Sequence, residues 1–278
     1  MKNTRVIFAK RPTEEPDDSC FRLEDVEVPE LQEGQILIKV CWLSLDPYMR
    51  GRMNDAKSYA APMEVGDVMI GESAGIVLKS RSDKFAVGDR VTAHMGWQSY
   101  IVANDDEPRL MKVDLANGTL SAHLGVVGMP GRTAYFGLTE VGKPKAGDTL
   151  VVAAASGAVG SAVGQLAKIK GLRVVGIAGG PKKCRYVKEE LHFDACLDYK
   201  TGKLAEELQV ACPDGIDIYF ENVGGEVTRA VAPLLNEGAR VPICGFVSKY
   251  NSEDITQAET PFDILKELDP VPEHRFFV

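Results

Sequence analysis

Residues 149–178 read TLVVAAASGAVGSAVGQLAKIKGLRVVGIA and contain a complete local folding pattern. The run LVVAA at 150–154 is short and apolar, which is typical of a strand buried on both faces. A turn of small residues follows at 155–160, and apolar positions then recur at helical spacing up to Gly171, a residue type favoured just after a helix. A second apolar run lies at 174–177. Strand, glycine turn, helix and strand in this order predict the βαβ unit that binds dinucleotides.

The glycine turn suits a pyrophosphate, because the N-terminus of a helix presents backbone N–H groups and the positive end of its dipole. Gly157 keeps the approach open, and Gly160 and Gly164 let the helix lie close to the strand. Ala155 stands where the G-x-G-x-x-G pattern has its first glycine, so the pattern is incomplete and a simple packing turn is the alternative. The predicted pyrophosphate contacts are Ser156, Gly157, Ala158, Val159 and Gly160.

The end of the second strand indicates which dinucleotide binds. An NAD site usually offers an Asp or Glu there, to hold the ribose 2′-hydroxyl. Residues 178–185 read AGGPKKCR, with no acid and with Lys182, Lys183 and Arg185 close together. A solvated basic helix start is the alternative, but cations are unfavourable at a helix N-terminus. The pattern therefore favours NADP(H), with predicted contacts at Gly179, Lys182 and Lys183.

The composition is that of an ordinary globular protein of two domains. The net charge of −8 argues against nucleic acid or an anionic membrane surface as a partner. The six cysteines are scattered without a C-x-x-C pair, which is typical of reduced thiols. No apolar signal core opens the sequence and no apolar run reaches membrane-spanning length. We therefore expect a cytoplasmic protein.

The rest of the chain predicts two kinds of structure. Residues 1–120 are mostly β, with short strand-like runs at 5–9, 21–28, 35–45, 68–78, 88–93 and 99–102. Residues 121–142 predict a helical connector interrupted at Met129-Pro130-Gly131. Beyond it, strand and helix alternate, which requires a parallel sheet covered on both faces. Residues 275–278 could supply a sixth strand after a polar stretch at 251–260.

Six motifs together resemble the medium-chain dehydrogenase/reductase superfamily. Within it they are most similar to the zinc-free leukotriene B4 dehydrogenase group, which includes prostaglandin reductases, plant double-bond reductases and bacterial curcumin reductases. The resemblance implies a β-rich, GroES-like catalytic domain at 1–120 and a Rossmann NADP(H)-binding domain at 121–278. The motifs are LSLDPYMRGRM (43–53), GMPGRTAYFGL (128–138), AAASGAVGSAVGQ (153–165), DYK (198–200), YFENVGGE (219–226) and GFVSKYN (245–251).

The resemblance also implies an activity, namely NADPH-dependent reduction of the C=C bond of an α,β-unsaturated ketone or aldehyde. Hydride would go to the β-carbon, and the enolate oxygen would then need a hydrogen-bond donor. Tyr250, which matches the tyrosine of the group's S-x-Y-N motif, is the candidate for that donor. The motif DPYMR implies that Tyr48 lines the substrate pocket, whereas its residue type alone indicates a buried aromatic of a turn. The group further implies a homodimer acting on a small molecule.

Cofactor residues follow from the same matches. Lys183 corresponds to the group's lysine that binds the 2′-phosphate, with Tyr199 of the DYK motif close by and Lys182 assisting. Three residues follow a strand's carboxyl end, where open α/β sheets bind ligands, and are expected near the nicotinamide ribose. These three are Asn222, Val223 and Gly224.

Zinc alcohol dehydrogenases share the implied fold, and a catalytic zinc requires Cys and His ligands. Where zinc members carry a G-H-E motif, this sequence reads Ile70-Gly71-Glu72, and the four closely spaced cysteines of a structural zinc site are missing. We therefore expect no metal site. His94 and His123 have no evident partner in the sequence and are expected to be structural.

Three alternatives to an enone reductase remain open from the sequence. They are a quinone reductase of the same superfamily, an NADPH-binding protein without useful catalysis, and a zinc-dependent alcohol dehydrogenase. The second arises because members of the group usually continue beyond the point where this sequence ends. Without that return segment we expect uncovered apolar surface on the first domain and a substrate pocket open on one side.

Overall fold

A computed structural model of the protein describes residues 1–55, 60–252 and 257–277. The chain forms two compact units, Met1–Gly128 and Met129–Val278. The short helical turn Leu120–Leu124 packs against strands of the first unit and belongs with it. In the described part of the chain, no helix is both long and apolar enough to span a membrane.

The described residues of the first unit form seven strands, all paired antiparallel. Strands β1 and β2 pair with each other, and the other five form a sheet of order β6-β3-β4-β5-β7. Three consecutive residues of β3 are buried, namely Ile36, Leu37 and Ile38, and two of them (Ile36 and Ile38) pack with Val77 and Val91 in one apolar cluster. The strands are β1 (Lys2–Phe8), β2 (Phe21–Glu27), β3 (Gln35–Leu43), β4 (Ser73–Ser80), β5 (Arg90–Ala93), β6 (Tyr100–Asn104) and β7 (Met111–Lys112).

The DPYMR motif forms a one-turn helix, α1 (Tyr48–Arg52), directly after β3. The side chains of Met49 and Met53 are buried, and Met53 packs in a small apolar cluster with Phe8 and Met69. The two buried methionines anchor this segment to the first unit.

The connector between the units differs from the prediction in one respect. Helix α2 (Met129–Phe136) begins at Met129, so the Met129-Pro130-Gly131 segment starts a helix rather than interrupting one. Pro130 lies in the first turn, where a backbone N–H has no intrahelical partner and its absence costs little. A single wider turn, Gly137–Gly142, continues the helix.

The second unit contains a sheet of six parallel strands in the order β10-β9-β8-β11-β12-β13. This confirms the predicted doubly wound α/β fold, including the sixth strand. Its strands are β8 (Thr149–Ala153), β9 (Arg173–Ala178), β10 (Ala195–Asp198), β11 (Ile216–Phe220), β12 (Leu235–Ile243) and β13 (Glu273–Phe276). Its helices after α2 are α3 (Ala158–Ile169), α4 (Pro181–Glu189), α5 (Leu204–Ala211), α6 (Glu226–Val231) and α7 (Pro261–Leu265).

Two predictions concern the end of the chain, a sixth strand and a polar stretch before it. The sixth strand begins at Glu273, earlier than the predicted 275, and Val278 lies outside the described residues. Of the polar stretch predicted at 251–260, residues 253–256 lie outside the described residues. The short helix α7 follows this stretch, begins with a capping box at Thr260 and was not predicted.

Apolar layers cover both faces of the parallel sheet. In β8, Leu150 and Val152 face the layer that contains α2 and α3, while Val151 and Ala153 face the layer that contains α5, α6 and α7. All four side chains are fully buried. At about 25 cal/mol per Å² of apolar surface removed from water, such two-sided burial is the main stabilising contribution in this fold.

The strand order reverses between β8 and β11. From β8 the chain moves outward through β9 and β10, and it then returns to the other side of β8 to form β11, β12 and β13. Loops that leave two neighbouring strands in opposite directions open a crevice at the carboxyl edge of the sheet, which is where open α/β sheets bind ligands.

The close packing of α3 on the preceding turn generates a stability prediction. A Cβ at Gly160 would lie 2.4 Å from the carbonyl oxygen of Ala154 and 2.9 Å from its carbonyl carbon, both of them backbone atoms. Gly160→Ala is therefore expected to lower the free energy of unfolding by about 1–3 kcal/mol, as overpacking does. Denaturant unfolding measures this change.

Gly142→Ala is the matched control, because a Cβ at Gly142 would meet its nearest atoms at 3.5 Å, an ordinary contact distance. The control is expected to unfold at nearly the denaturant midpoint of the parent protein. Equal midpoints for Gly160→Ala and Gly142→Ala would contradict the packing argument.

Candidate active site

The glycine turn after β8 places the predicted pyrophosphate residues at one helix start. Gly157 precedes α3 in an extended conformation, and its N–H donates to the carbonyl of Ala154 at 2.9 Å. The intrahelical bonds begin with Ser161 N–H, which donates to Gly157 at 2.9 Å. The N–H groups of residues 158–160 therefore have no partner within the helix. A helix start of this kind, free of large side chains, fits a phosphate group.

The loop after β9 brings Gly179 against an aromatic ring. A Cβ at Gly179 would lie 2.8 Å from Cε1 and 3.0 Å from the hydroxyl oxygen of Tyr199, so only glycine lets the ring lie this close. Lys182 and Lys183 are exposed in the first turn of α4. Among the described residues, neither lysine has an ion-pair partner, so both positive charges at the start of α4 are able to bind an anion.

Asp198 joins the glycine loop after β9 to the turn that carries Tyr199. It was not predicted from the sequence. Its carboxylate accepts hydrogen bonds from Gly180 N–H at 2.8 Å and Lys200 N–H at 3.0 Å. These two backbone bonds hold the pKa of Asp198 below its usual range. The glycine loop and the turn that carries Tyr199 are thereby tied together. The DYK motif contained the signal, since an Asp at a strand end commonly caps the turn that follows.

Asn222 spans the crevice at the strand-order reversal. Its side-chain amide donates to the carbonyl oxygen of Ala153 at 2.8 Å and so joins the carboxyl ends of β8 and β11. Gly224 and Gly225 follow with φ values of 80° and 59°, which favour glycine. The predicted residues Asn222, Val223 and Gly224 thus form the tight loop between β11 and α6.

Glu221 is a second residue that the sequence analysis missed. Its side chain is fully buried directly after β11 and accepts hydrogen bonds from the hydroxyls of Tyr219 and Thr228 and from the N–H groups of Val223 and Gly224. Burial raises the pKa of this carboxyl, against the four hydrogen bonds, which lower it. An acid at the end of an apolar strand run was the signal in the sequence.

Tyr250 lies in the loop that follows β12, beside the loop of Asn222. Val247 N–H donates to the carbonyl of Asn222 at 3.1 Å, and Ser248 N–H donates to the carbonyl of Val223 at 3.0 Å. The ring of Tyr250 packs edge-on against Phe246, with centroids 5.8 Å apart. The structure therefore brings the predicted hydrogen-bond donor and the predicted nicotinamide loop into adjoining segments of the second unit.

The hydroxyl of Tyr250 lies against a glycine. A Cβ at Gly245 would lie 2.7 Å from the hydroxyl oxygen of Tyr250, so a side chain at this position would displace the tyrosine. Gly245 belongs to the GFVSKYN motif, and its role in making room for the phenol was not evident from sequence.

Tyr48 belongs to the first unit, where its ring stacks on His94. The ring centroids are 6.2 Å apart and the planes differ by 23°. Burial lowers the pKa of His94, and the charges of Arg109 and Arg52 lower it further, so the neutral imidazole is favoured. His94, expected to be structural, stacks on the ring of Tyr48, and a ring nitrogen of His123 bonds locally to the carbonyl of Thr119.

The cysteine side chains are poorly suited to binding a metal ion. All six are free thiols, and burial raises the pKa of Cys212 to about 11 and that of Cys244 to about 12. Metal ligation needs the thiolate form, which burial disfavours. Among the described residues, no group of three or more His, Cys, Asp or Glu side chains is arranged to hold a metal ion.

Two protein-family models and several relatives match this chain in sequence. Residues 4–113 match the family described as N-terminal domain of oxidoreductase, and residues 158–269 match the family described as zinc-binding dehydrogenase. An NADPH-dependent curcumin reductase of Escherichia coli (strain K12) is 50% identical over 255 residues, which cover 92% of this chain and 73% of the relative. Prostaglandin reductase 1 of Oryctolagus cuniculus is 45% identical over 239 residues, which cover 85% of this chain and 66% of the relative.

A solved structure extends the likeness to three dimensions. The crystal structure of CurA in complex with NADPH from Vibrio vulnificus matches with a TM-score of 0.91 and 46% identity. The match covers 99% of this chain and 82% of that chain. The chain therefore belongs to the medium-chain dehydrogenase/reductase superfamily, in the group of the curcumin and prostaglandin reductases.

Proposed function

We propose that the protein uses NADPH to reduce the C=C bond of α,β-unsaturated ketones and aldehydes. The observation that carries the proposal is the cluster of exposed lysines at the start of α4, beside a glycine loop with no acid at the end of β9. This charge pattern suits a 2′-phosphate and disfavours the free 2′-hydroxyl of NAD. The NADPH-dependent curcumin reductase at 50% identity supports the same reaction class.

Three parts of the second unit are assigned to the cofactor. Residues 156–160 receive the pyrophosphate at the start of α3, where backbone N–H groups are available. Gly179, Lys182, Lys183 and Tyr199 surround the 2′-phosphate. The loop of Asn222, Val223 and Gly224 receives the nicotinamide ribose at the strand-order reversal. Bound there, NADPH supplies the hydride that is transferred to the β-carbon of the substrate.

Tyr250 is assigned to the substrate oxygen. Hydride addition leaves negative charge on the enolate oxygen, and a neutral phenol lowers its energy by donating a hydrogen bond. The packing of its ring on Phe246 and of its hydroxyl beside Gly245 restricts the orientations that the donor can adopt. Tyr48 is proposed to contact the substrate, and its stacking on His94 fixes the plane of its ring.

The assembly and location of the protein stay predictions. The resemblance implies a homodimer, which light scattering at several protein concentrations tests. Six free cysteines, four of them with pKa values raised by burial, fit a reducing compartment such as the cytoplasm. Fractionation of cells tests the location.

The reaction itself is tested with a panel of enones, enals, quinones and saturated aldehydes, with NADPH oxidation followed by absorbance. The expected result is turnover of enones and enals, with the saturated carbonyl compound as product. When the transferred hydrogen of NADPH is replaced by deuterium, the label is expected on the β-carbon. Turnover restricted to quinones, or binding of NADPH without any turnover, would overturn the proposal.

The assignment of Lys183 predicts a change in cofactor preference. Lys183→Ala removes a charged contact to the 2′-phosphate, which contributes about 1.5–3 kcal/mol, or roughly ten- to a hundredfold in affinity. We expect the Kd for NADPH to rise by that factor while the Kd for NADH stays unchanged. Lys188→Ala, at the other end of α4, is the matched control and should alter neither constant. An equal loss for both dinucleotides would remove Lys183 from the phosphate site.

The assignment of Tyr250 predicts a loss in rate without a loss in cofactor binding. Tyr250→Phe keeps the ring and removes the donor, and deleting one such donor lowers kcat by about a hundredfold or more. The Kd for NADPH is expected to stay unchanged, and Tyr135→Phe on α2 serves as an exposed control that keeps full activity. An unaltered kcat in Tyr250→Phe would show that another group donates to the enolate.

A further inference from the structure

A buried carboxyl lies at the carboxyl edge of the parallel sheet and has no part in the chemistry assigned above. The side chain of Glu221 is 0% exposed, among strands whose other buried groups are mostly apolar. Placing a carboxyl in such surroundings is costly unless hydrogen bonds replace those it made with water. An apolar residue would avoid this cost, so the contacts of Glu221 indicate what the carboxyl does.

The two oxygens of Glu221 have different partners. Oε2 accepts from the hydroxyl of Tyr219 at 2.9 Å and from the hydroxyl of Thr228, which hold the side chain in one orientation. Oε1 accepts from Val223 N–H at 2.6 Å and from Gly224 N–H at 3.0 Å. The carboxyl therefore fixes the backbone of the loop between β11 and α6.

That loop needs an external constraint. Gly224 and Gly225 adopt positive φ values of 80° and 59°, and glycine reaches many other conformations with equal ease. Hydrogen bonds to Oε1 of Glu221 select one of them. A Cβ at Gly224 would lie 2.9 Å from the Cβ of Phe246, so the selected path also lets the next loop approach closely.

The loop that follows β12 is held by backbone hydrogen bonds to the loop between β11 and α6. Val247 N–H bonds to the carbonyl of Asn222, and Ser248 N–H bonds to the carbonyl of Val223. The backbone carbonyl of Glu221 also accepts from Cys244 N–H at 2.9 Å. Contacts thus run without a break from the buried carboxyl, through the loop assigned to the nicotinamide ribose, to the segment that ends in Tyr250.

We propose that Glu221 is a positioning residue that sets the nicotinamide-ribose loop and Tyr250 in register with each other for hydride transfer. The inference rests on the proposed function. Both loops must hold their groups at fixed positions relative to the substrate, because a displacement of 1 Å lowers rates by about a hundredfold. Glu221 touches neither the substrate nor the cofactor, and it acts through the two loops.

Two substitutions separate the hydrogen bonds from the volume of the side chain. In Glu221→Leu, a side chain of similar size can accept no hydrogen bond, and the N–H groups of Val223 and Gly224 lose their partner. In Glu221→Gln, the amide oxygen still accepts from both N–H groups. The hydroxyls of Tyr219 and Thr228 can then rotate to accept from the amide nitrogen. The glutamine variant should therefore restore the loop.

The experiment measures kcat for an enone, the Kd for NADPH and the Kd for adenosine 2′,5′-bisphosphate, which carries only the adenosine half of the cofactor. Glu221→Leu is expected to lower kcat by about a hundredfold and to weaken NADPH, while the bisphosphate binds as it does to the parent protein. Glu221→Gln is expected to restore most of kcat. Asp217→Ala is the matched control. Asp217, at the amino end of β11, bonds Thr149 N–H and Asn236, so its loss should lower the melting temperature without lowering kcat.

Three outcomes would overturn the inference. They are an unchanged kcat in Glu221→Leu, a parallel loss of affinity for NADPH and the bisphosphate together with a lower melting temperature, and a Glu221→Gln variant as impaired as the leucine variant. If Glu221→Leu does not fold, Thr228→Val removes a single donor to Oε2. A smaller fall in kcat with unchanged bisphosphate affinity is then expected, and an unchanged kcat overturns the inference. Absence of enone turnover in the parent protein would instead overturn the proposed function.

Discussion

The burial of β8 on both faces is the constraint on which the second unit depends. A strand with no exposed side must have a neighbouring strand on each edge and a helical layer on each face. Strand β8 meets both demands, with β9 and β11 at its edges and apolar layers on its two sides. Because the chain leaves β8 toward one side and returns on the other, the loops after β8 and β11 diverge and open the crevice to which we assign the cofactor.

The proposed site contains two kinds of ionisable side chain, exposed lysines and a buried carboxyl. Lys182 and Lys183 are exposed and, within the described residues, have no ion-pair partner, so their charge is available to an incoming phosphate. Glu221 is buried, and four hydrogen-bond donors surround its carboxyl. The lysines suit ligand binding because water can be displaced from them, whereas the carboxyl suits a structural task because nothing from outside can reach it. The exposed lysines are therefore suited to binding a ligand, and the buried carboxyl of Glu221 is suited to positioning the loop around it.

Most of the fold could be predicted because its signals are local. The apolar runs, the glycine turn and the alternation of strand and helix predicted the parallel sheet and its sixth strand. The start of α2 was predicted wrongly, because a proline in the sequence is compatible both with a break in a helix and with the first turn of one. Helix α7 was missed because a five-residue helix has too few turns to show a periodic pattern.

The sequence by itself determined the fold class and the small residues at the start of α3, because these depend on neighbours in the chain, and its motifs carried the resemblance to the family. Only the tertiary structure decided which distant residues act together. The bond from Asn222 to Ala153, the bond from Val247 to Asn222 and the ring of Tyr199 on Gly179 all join segments that the strand order brings into contact. Glu221 is a case of another kind, because its four donors are near it in the sequence and its burial is what only the tertiary structure decided. A carboxylate at a strand end is ordinary in sequence, and only burial among four donors reveals its task.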